Sequence, residues 1–268
     1  FNSIIEQEKV RRLIYKAIKS NRLTHGFIFS GPVGTGRMAM ALELARVLNC
    51  ENDPSHSAQD KCTCVSCRLI TNINHPNLTF IFPRAKELDK KKNDIDTVMS
   101  ENLERLRVNK YAPFETSKTG VVRVEQIREL RRSMSLSADR TGVRVAIIKP
   151  AENMNANASN ALLKLLEEPP DKCCIILISS GARLMLPTIM SRCQLLNFSP
   201  ISSQAIVNNL VKNHGIPESD ATLIADLSDG GLSTAKSMLN EDYQSMIKDS
   251  LEFLRASVQG QAVKISTI

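Results

Sequence analysis

Apolar positions recur at helical spacing near the start of the chain. In EKVRRLIYKAIKS, Val10, Leu13, Ile14, Ala17 and Ile18 share one face, which predicts an amphipathic helix. The next apolar stretch, GFIFSG (Gly26–Gly31), is short, continuous and closed by glycine, as a buried strand would be. MAMALELARVL follows as a second helix. LTFIFP, GVRVAII, CCIILISS and QLLNF read as further strands, with helical patterns in VEQIRELRRSMSL and in NASNALLKLLEEPP, which stops at Pro169. LPTIMSRC reads as a short helical turn. The polar segment from Arg84 to Thr119 has little strand signal and reads as a surface excursion with one helix around Ile95–Leu106. Strands and helices therefore alternate to about residue 198, which predicts an α/β fold with a parallel sheet flanked by helices. Beyond Pro200 the pattern changes to three helical stretches, SSQAIVNNLVKNHG, ESDATLIADLSDG and LSTAKSML, separated by glycine or proline.

Composition narrows the function class. The 268 residues are enough for one large domain or two smaller ones, and the apolar runs are too short to span a bilayer. The N-terminus lacks an export signal, so a reducing cytoplasm is expected and the seven cysteines are expected to be thiols. With no starting methionine and no clear final element, trimming is expected at both ends. A net charge of +7 permits contact with nucleic acid without showing it. Four cysteines, Cys50, Cys62, Cys64 and Cys67, fall within 18 residues, and the Cys64–Cys67 pair has a spacing that lets two thiolates grip one ion. Structural Zn²⁺ in a closed four-sulfur shell is the expected occupant, with free thiols the alternative.

Between the first strand and the second helix lies GPVGTGRM. A phosphate loop reads G-x-x-x-x-G-K-[ST], its backbone N–H groups cradling phosphate oxygens. Gly31, Gly34 and Gly36 supply the loop, but Arg37 replaces the lysine and Met38 the metal-binding hydroxyl. Arginine is not a compact point charge, and a thioether is a poor ligand for Mg²⁺. The strand that should end in a metal-binding carboxylate ends in Lys149, with Glu152 further along. Three positions fail in one direction, which argues that hydrolysis was lost while the loop was kept. Whether ATP still binds is left open.

RLTHGFIFSGPVGTGR, the cysteine cluster, NASNALLKLLEEPP and LPTIMSRCQLLNF occur in the order found in bacterial clamp-loader subunits, the AAA+ proteins of the DNA polymerase III holoenzyme. The chain resembles most the delta-prime type, which does not hydrolyse ATP. The resemblance covers roughly residues 1–84 and 120–240. It implies a RecA-like domain over 1–199 with a zinc-binding insertion near 50–67, a helical lid over 200–240 and the start of a helical collar over 241–268. It assigns Arg192, in the SRC motif, the role of an arginine finger acting on a neighbouring subunit's γ-phosphate. From spacing alone Arg192 is an ordinary surface arginine.

The resemblance also implies a first sensor at Ser179 or Ser180, and Ser233 stands where hydrolysing relatives carry a second-sensor arginine. The family's cysteine pattern is C-x2-C-x2-C, and Cys62 is shifted from it by one residue. Arg123 and Arg128, with Arg131 one turn further on, fall in a stretch that would face primer–template phosphates, the alternative being a solvated basic face or a subunit contact. The implied partners are gamma/tau-type and delta-type subunits, the sliding clamp and, through the assembly, DNA. An active gamma/tau-like ATPase and a zinc-containing DNA-binding module unrelated to loading are the competing readings.

Overall fold

The computed structural model describes residues 4–52, 62–84, 92–112, 120–135 and 142–239, with backbone alone for 92–97. The segment expected to begin a collar, 241–268, lies outside the described residues. Five strands form one parallel sheet: β1 (Gly26–Ser30), β2 (Leu78–Ile81), β3 (Arg144–Ile148), β4 (Cys173–Ser179) and β5 (Gln194–Asn197). Their spatial order is β2-β3-β4-β1-β5, so β4 lies between β1 and β3.

Burial on both faces explains why the central strands are apolar at every position rather than at alternate ones. Side chains still alternate between two cores. Phe27, Phe29, Ile176 and Ile178 join the cluster on one face, with α1 (Glu8–Lys19) and α2 (Arg37–Leu48). Ile28, Ile175 and Leu177 join the cluster on the other, with α5 (Val124–Ser135) and α6 (Ala156–Glu167). Asn155 caps α6 by accepting a hydrogen bond from the Ala158 amide at 2.8 Å.

Among the described residues, two helices lie between α2 and α5. The seven-residue α3 (Val65–Thr71) is capped by the Cys64 side chain and was not legible as a helix. α4 spans Lys92–Val108, longer than the expected Ile95–Leu106. The Arg84–Thr119 segment is also more than a surface excursion. Leu106 is buried in the first core, and Lys110, Tyr111 and Ala112 line the pocket described below.

After β4, the short α7 (Pro187–Met190) leads into β5. α8 (Ser203–His214), α9 (Glu218–Leu227) and α10 (Leu232–Ser237) then pack around their own core of Ile201, Ile206, Leu210, Ala221, Ile224 and Leu232. α8 ends where Gly215 turns left-handed at φ +66°. Gln7 ties the chain's start to this junction: it accepts from the Ser199 amide at 3.1 Å and donates to the Ser199 carbonyl at 2.7 Å.

The strand ends position the site. Ser30 lies opposite Ser179 and Ile148 opposite Leu177. The loops leaving β1, β3 and β4, which begin at Gly31, Lys149 and Ser180, therefore open on one edge of the sheet.

Candidate nucleotide pocket, arginine finger and metal centre

The glycine loop takes left-handed backbone at Gly34 (φ +84°) and Gly36 (φ +91°). Both positions are also in close contact. A Cβ on Gly34 would stand 2.7 Å from the Ser233 Oγ and 2.9 Å from the Gly231 backbone, and one on Gly36 would meet the Tyr111 ring at 3.0 Å. The Leu232 amide donates to the Gly34 carbonyl at 3.1 Å. The start of α10 thus rests directly on the loop. Gly34→Ala is expected to cost about 2 kcal/mol or more, from left-handed strain plus a contact against backbone. Thermal unfolding should show a fall of roughly 5 °C or more.

Arg37 opens α2 and is buried. Its Nη1 donates to the Ser179 carbonyl, so the guanidinium is turned down onto the end of β4. Burial lowers its pKa, an effect Glu152 opposes. Met38 is buried in the first core. Lys149 follows β3 on the pocket wall and keeps some solvent contact. The surrounding protein and Arg37 lower its pKa to about 8, against Glu152, which raises it. Glu152 accepts from the Ser180 amide at 3.0 Å and the Ser180 hydroxyl at 2.5 Å, while its buried Oε2 has no hydrogen-bond partner. With Tyr111, Lys110 and Ser233 these groups line a cavity of about 280 Å³. That volume is just below the range of about 300–1,000 Å³ usual for small-molecule pockets.

Lys149 carries a pH signature. Its folded pKa of about 8 lies below the ordinary 10.5, so between those values the unfolded chain holds a proton that the folded chain does not. This group's contribution to stability therefore rises with pH across that window. Lys149→Met is expected to stabilise the protein at pH 7 by on the order of 1 kcal/mol. The gain should shrink above pH 8 and vanish past 10.5, as checked by thermal unfolding of both proteins across pH.

Arg192 lies between α7 and β5, outside the residues that line the pocket of its own chain. Its Nη2 meets the Glu167 Oε1 at 2.7 Å, and its Nη1 donates to the Thr188 carbonyl at 3.0 Å and to the Ser191 Oγ at 3.1 Å. The side chain is about one-third exposed (36%).

The four cysteines come together. The sulfurs of Cys50, Cys62, Cys64 and Cys67 all lie within 4.8 Å of one another. Zn–S bonds of about 2.3 Å in a tetrahedron place sulfurs about 3.8 Å apart, so a small contraction would fit the ion. The shift at Cys62 does not take its sulfur out of the group. The Cys64 amide donates to the Cys62 sulfur at 3.5 Å and Asn52 donates to it at 3.2 Å. Chiefly through the Cys64 amide, the Cys62 pKa falls to about 6. Burial pushes the Cys67 thiol upward. The cluster could hold a metal such as zinc. Cys173 and Cys174 are buried in β4 and Cys193 is partly buried; burial raises the first to about 11 and the last to about 12.

Arg128 and Arg131 are exposed on α5 and line a groove with Lys164, Asn157 and Asn160 of α6. Arg123, just before α5, is not among the lining residues.

Comparison with known proteins decides the family. The family described as DNA polymerase III, delta subunit, matches residues 6–202. The chain belongs to the clamp-loader family of bacterial DNA polymerase III. It is 30% identical over 237 residues to DNA polymerase III subunit delta' of Bacillus subtilis, covering 88% of this chain and 60% of that protein. It is 29% identical over 247 residues to subunit tau of the same organism, covering 90% and 37%. Subunit delta' of Pseudomonas aeruginosa is 31% identical over 169 residues, covering 63% and 41%. The chain thus spans less than two thirds of the length of each of these relatives. Among solved structures, the RuvB Holliday junction branch migration motor of Thermotoga maritima superposes with a TM-score of 0.50 at 12% identity, covering 95% of this chain and 66% of that one. The parallel sheet with flanking helices is the RecA-like AAA+ fold.

In this clamp-loader chain the predicted residues fall into separate places. Gly34, Gly36 and Arg37 line the pocket, and Lys149, Ser180 and Ser233 join them there. Gly31 is packed instead against the Phe198 backbone. Ser179 takes part through its carbonyl, its hydroxyl being donated to Gly181 at 2.9 Å. Tyr111 and Lys110 were missed because they lie in a segment with no motif. Lys164 was missed because only the packing of α6 on α5 brings it beside Arg128.

Proposed function

We propose that this chain is a delta-prime-type subunit that does not hydrolyse ATP. It would act in the cytoplasm with gamma/tau-type and delta-type subunits to load the sliding clamp onto primed DNA. In this reading residues 1–199 form the RecA-like domain, 200–240 the lid and 241–268 the start of the collar. One observation carries it: Arg37, in the place of the phosphate-binding lysine, is engaged by the Ser179 carbonyl, with Met38 buried beside it and Lys149 where Mg²⁺ needs a carboxylate. Arg192, partly exposed and outside its own pocket, would exchange its contact with Glu167 for a neighbour's phosphate and act as a finger in trans. The cysteine centre would hold Zn²⁺ as a closed structural site through Cys50, Cys62, Cys64 and Cys67, all four positions being sulfur. The basic groove at Arg128, with Arg123 nearby, supports phosphate contacts to primer–template DNA within the assembly.

An active gamma/tau-like ATPase is the competing reading. It draws on Glu152, whose Oε2 is buried without a partner at the pocket, and on the similarity to subunit tau. Phosphate release by the purified full-length protein separates the two. The proposed function predicts none above background, whereas turnover that Lys149→Met or Glu152→Gln alters would establish the competitor.

A further inference from the structure

A row of alternating charges crosses the first core between the cysteine centre and the nucleotide pocket. Arg46, near the end of α2, places Nη1 3.6 Å from the Cys67 sulfur. The same guanidinium donates through Nε to Glu43 Oε2 at 2.9 Å. Glu43 is buried, and its other oxygen meets the Lys110 Nζ at 2.7 Å. Lys110 and Tyr111 form part of the pocket wall, and the Tyr111 ring covers Gly36. The Tyr111 hydroxyl accepts from the Ile5 amide at 2.9 Å, so the residue is held at both ends.

Four thiolates around a divalent ion leave two negative charges in a half-buried place, and a fixed cation against one buried sulfur lowers the cost of keeping them there. The donor geometry suits that task, because an arginine fork can serve the sulfur and Glu43 at once. When the metal leaves, protons must take its place on the sulfurs, so the charge that Arg46 faces on one side changes, and the pull on Glu43 and Lys110 changes with it.

We infer that Arg46 is an outer-sphere donor to the four-cysteine centre, and that through Glu43 and Lys110 it couples the metal content of that centre to the segment covering the phosphate loop. This rests on the reading of the cluster as a zinc site. Arg46 would thus position the ligand Cys67 on one side and the pocket wall on the other.

The test uses the full-length protein loaded with Zn²⁺, read by transfer of the ion to a colorimetric chelator and by hydrogen exchange of the amides from Val108 to Ala112. Loss of the donor is expected to speed zinc release about tenfold or more. Arg46→Met alone would leave Glu43 short of a partner. The paired variant Glu43→Gln with Arg46→Met therefore keeps the test open if the single one fails to fold. Stripping zinc from the wild type should raise exchange at Tyr111 and Ala112, and Lys110→Met should abolish that response. Zinc released at the wild-type rate from the paired variant would overturn the donor role. Exchange at Tyr111 that ignores the metal would overturn the coupling. A protein that takes up no Zn²⁺ would overturn the zinc reading, and the inference with it.

Discussion

Under the proposed function, replacing Arg192 by alanine is expected to reduce ATP hydrolysis at a neighbouring subunit's site by about a thousandfold or more, the usual worth of an arginine finger. Bulk turnover of an assembly with several sites should fall by the share that this one site carries. The side chain's present contacts do not argue against the role. Its pairing with Glu167 is between partly exposed groups, and such pairs contribute about 0–1 kcal/mol, little enough to be exchanged for a phosphate. For the same reason the variant should fold and unfold like the wild type, which distinguishes a lost finger from a damaged subunit. Arg192→Lys should not restore hydrolysis, because an ammonium cannot offer the planar fork. The measurement is DNA-stimulated phosphate release by the reconstituted complex with each variant. Full activity with Arg192→Ala would leave the arginine as an ordinary surface residue and remove the finger from the proposed function.

Much of the fold was legible because its strands are buried on both faces. GFIFSG and CCIILISS carry unbroken apolar runs, and that signal survives without knowledge of any partner strand. Local chemistry was legible too: the glycines at 31, 34 and 36 announced a turn that only glycine makes easily, and the structure uses positive-φ backbone at all three. What failed to show was everything set by distant pairing. α3 has seven residues, too few for a periodic pattern, and its cap is a cysteine rather than a usual capping residue. Tyr111 covers Gly36, 75 positions earlier in the chain, and nothing in the sequence NKYAP marks it for that place. Glu152 looked too distant from β3 to matter, yet a single turn of 3₁₀-helix, Ala151–Asn153, returns it to the pocket. The cysteines were found by their clustering and spacing, but only folding put the shifted Cys62 sulfur among the other three.

Removing metal from the cysteine centre is expected to have the second large effect, a loss of several kcal/mol and a fall in the unfolding midpoint of roughly 10 °C or more. α3 explains the size. A seven-residue helix is far below the length that is stable by itself in water, and its buried residues are few: Ser66, Cys67 and Ile70. Two of the four sulfurs belong to its start, Cys64 as its cap and Cys67 in its first turn, and a third, Cys50, lies two residues past the end of α2. An ion held by all four would fasten α3 to the end of the helix whose other end carries Arg37. Without the ion, four thiols and a few apolar contacts would have to hold the same arrangement against chain entropy. Cys67→Ala should reproduce most of the loss, since Cys67 is buried and its sulfur meets Arg46. Cys193→Ala, a thiol outside the group, should leave bound metal unchanged. The check is elemental analysis of the purified protein together with thermal unfolding before and after chelation. One bound Zn²⁺ per chain and a midpoint that falls on its removal are the expected results; a midpoint indifferent to chelation would mean that the sulfurs meet without holding the fold.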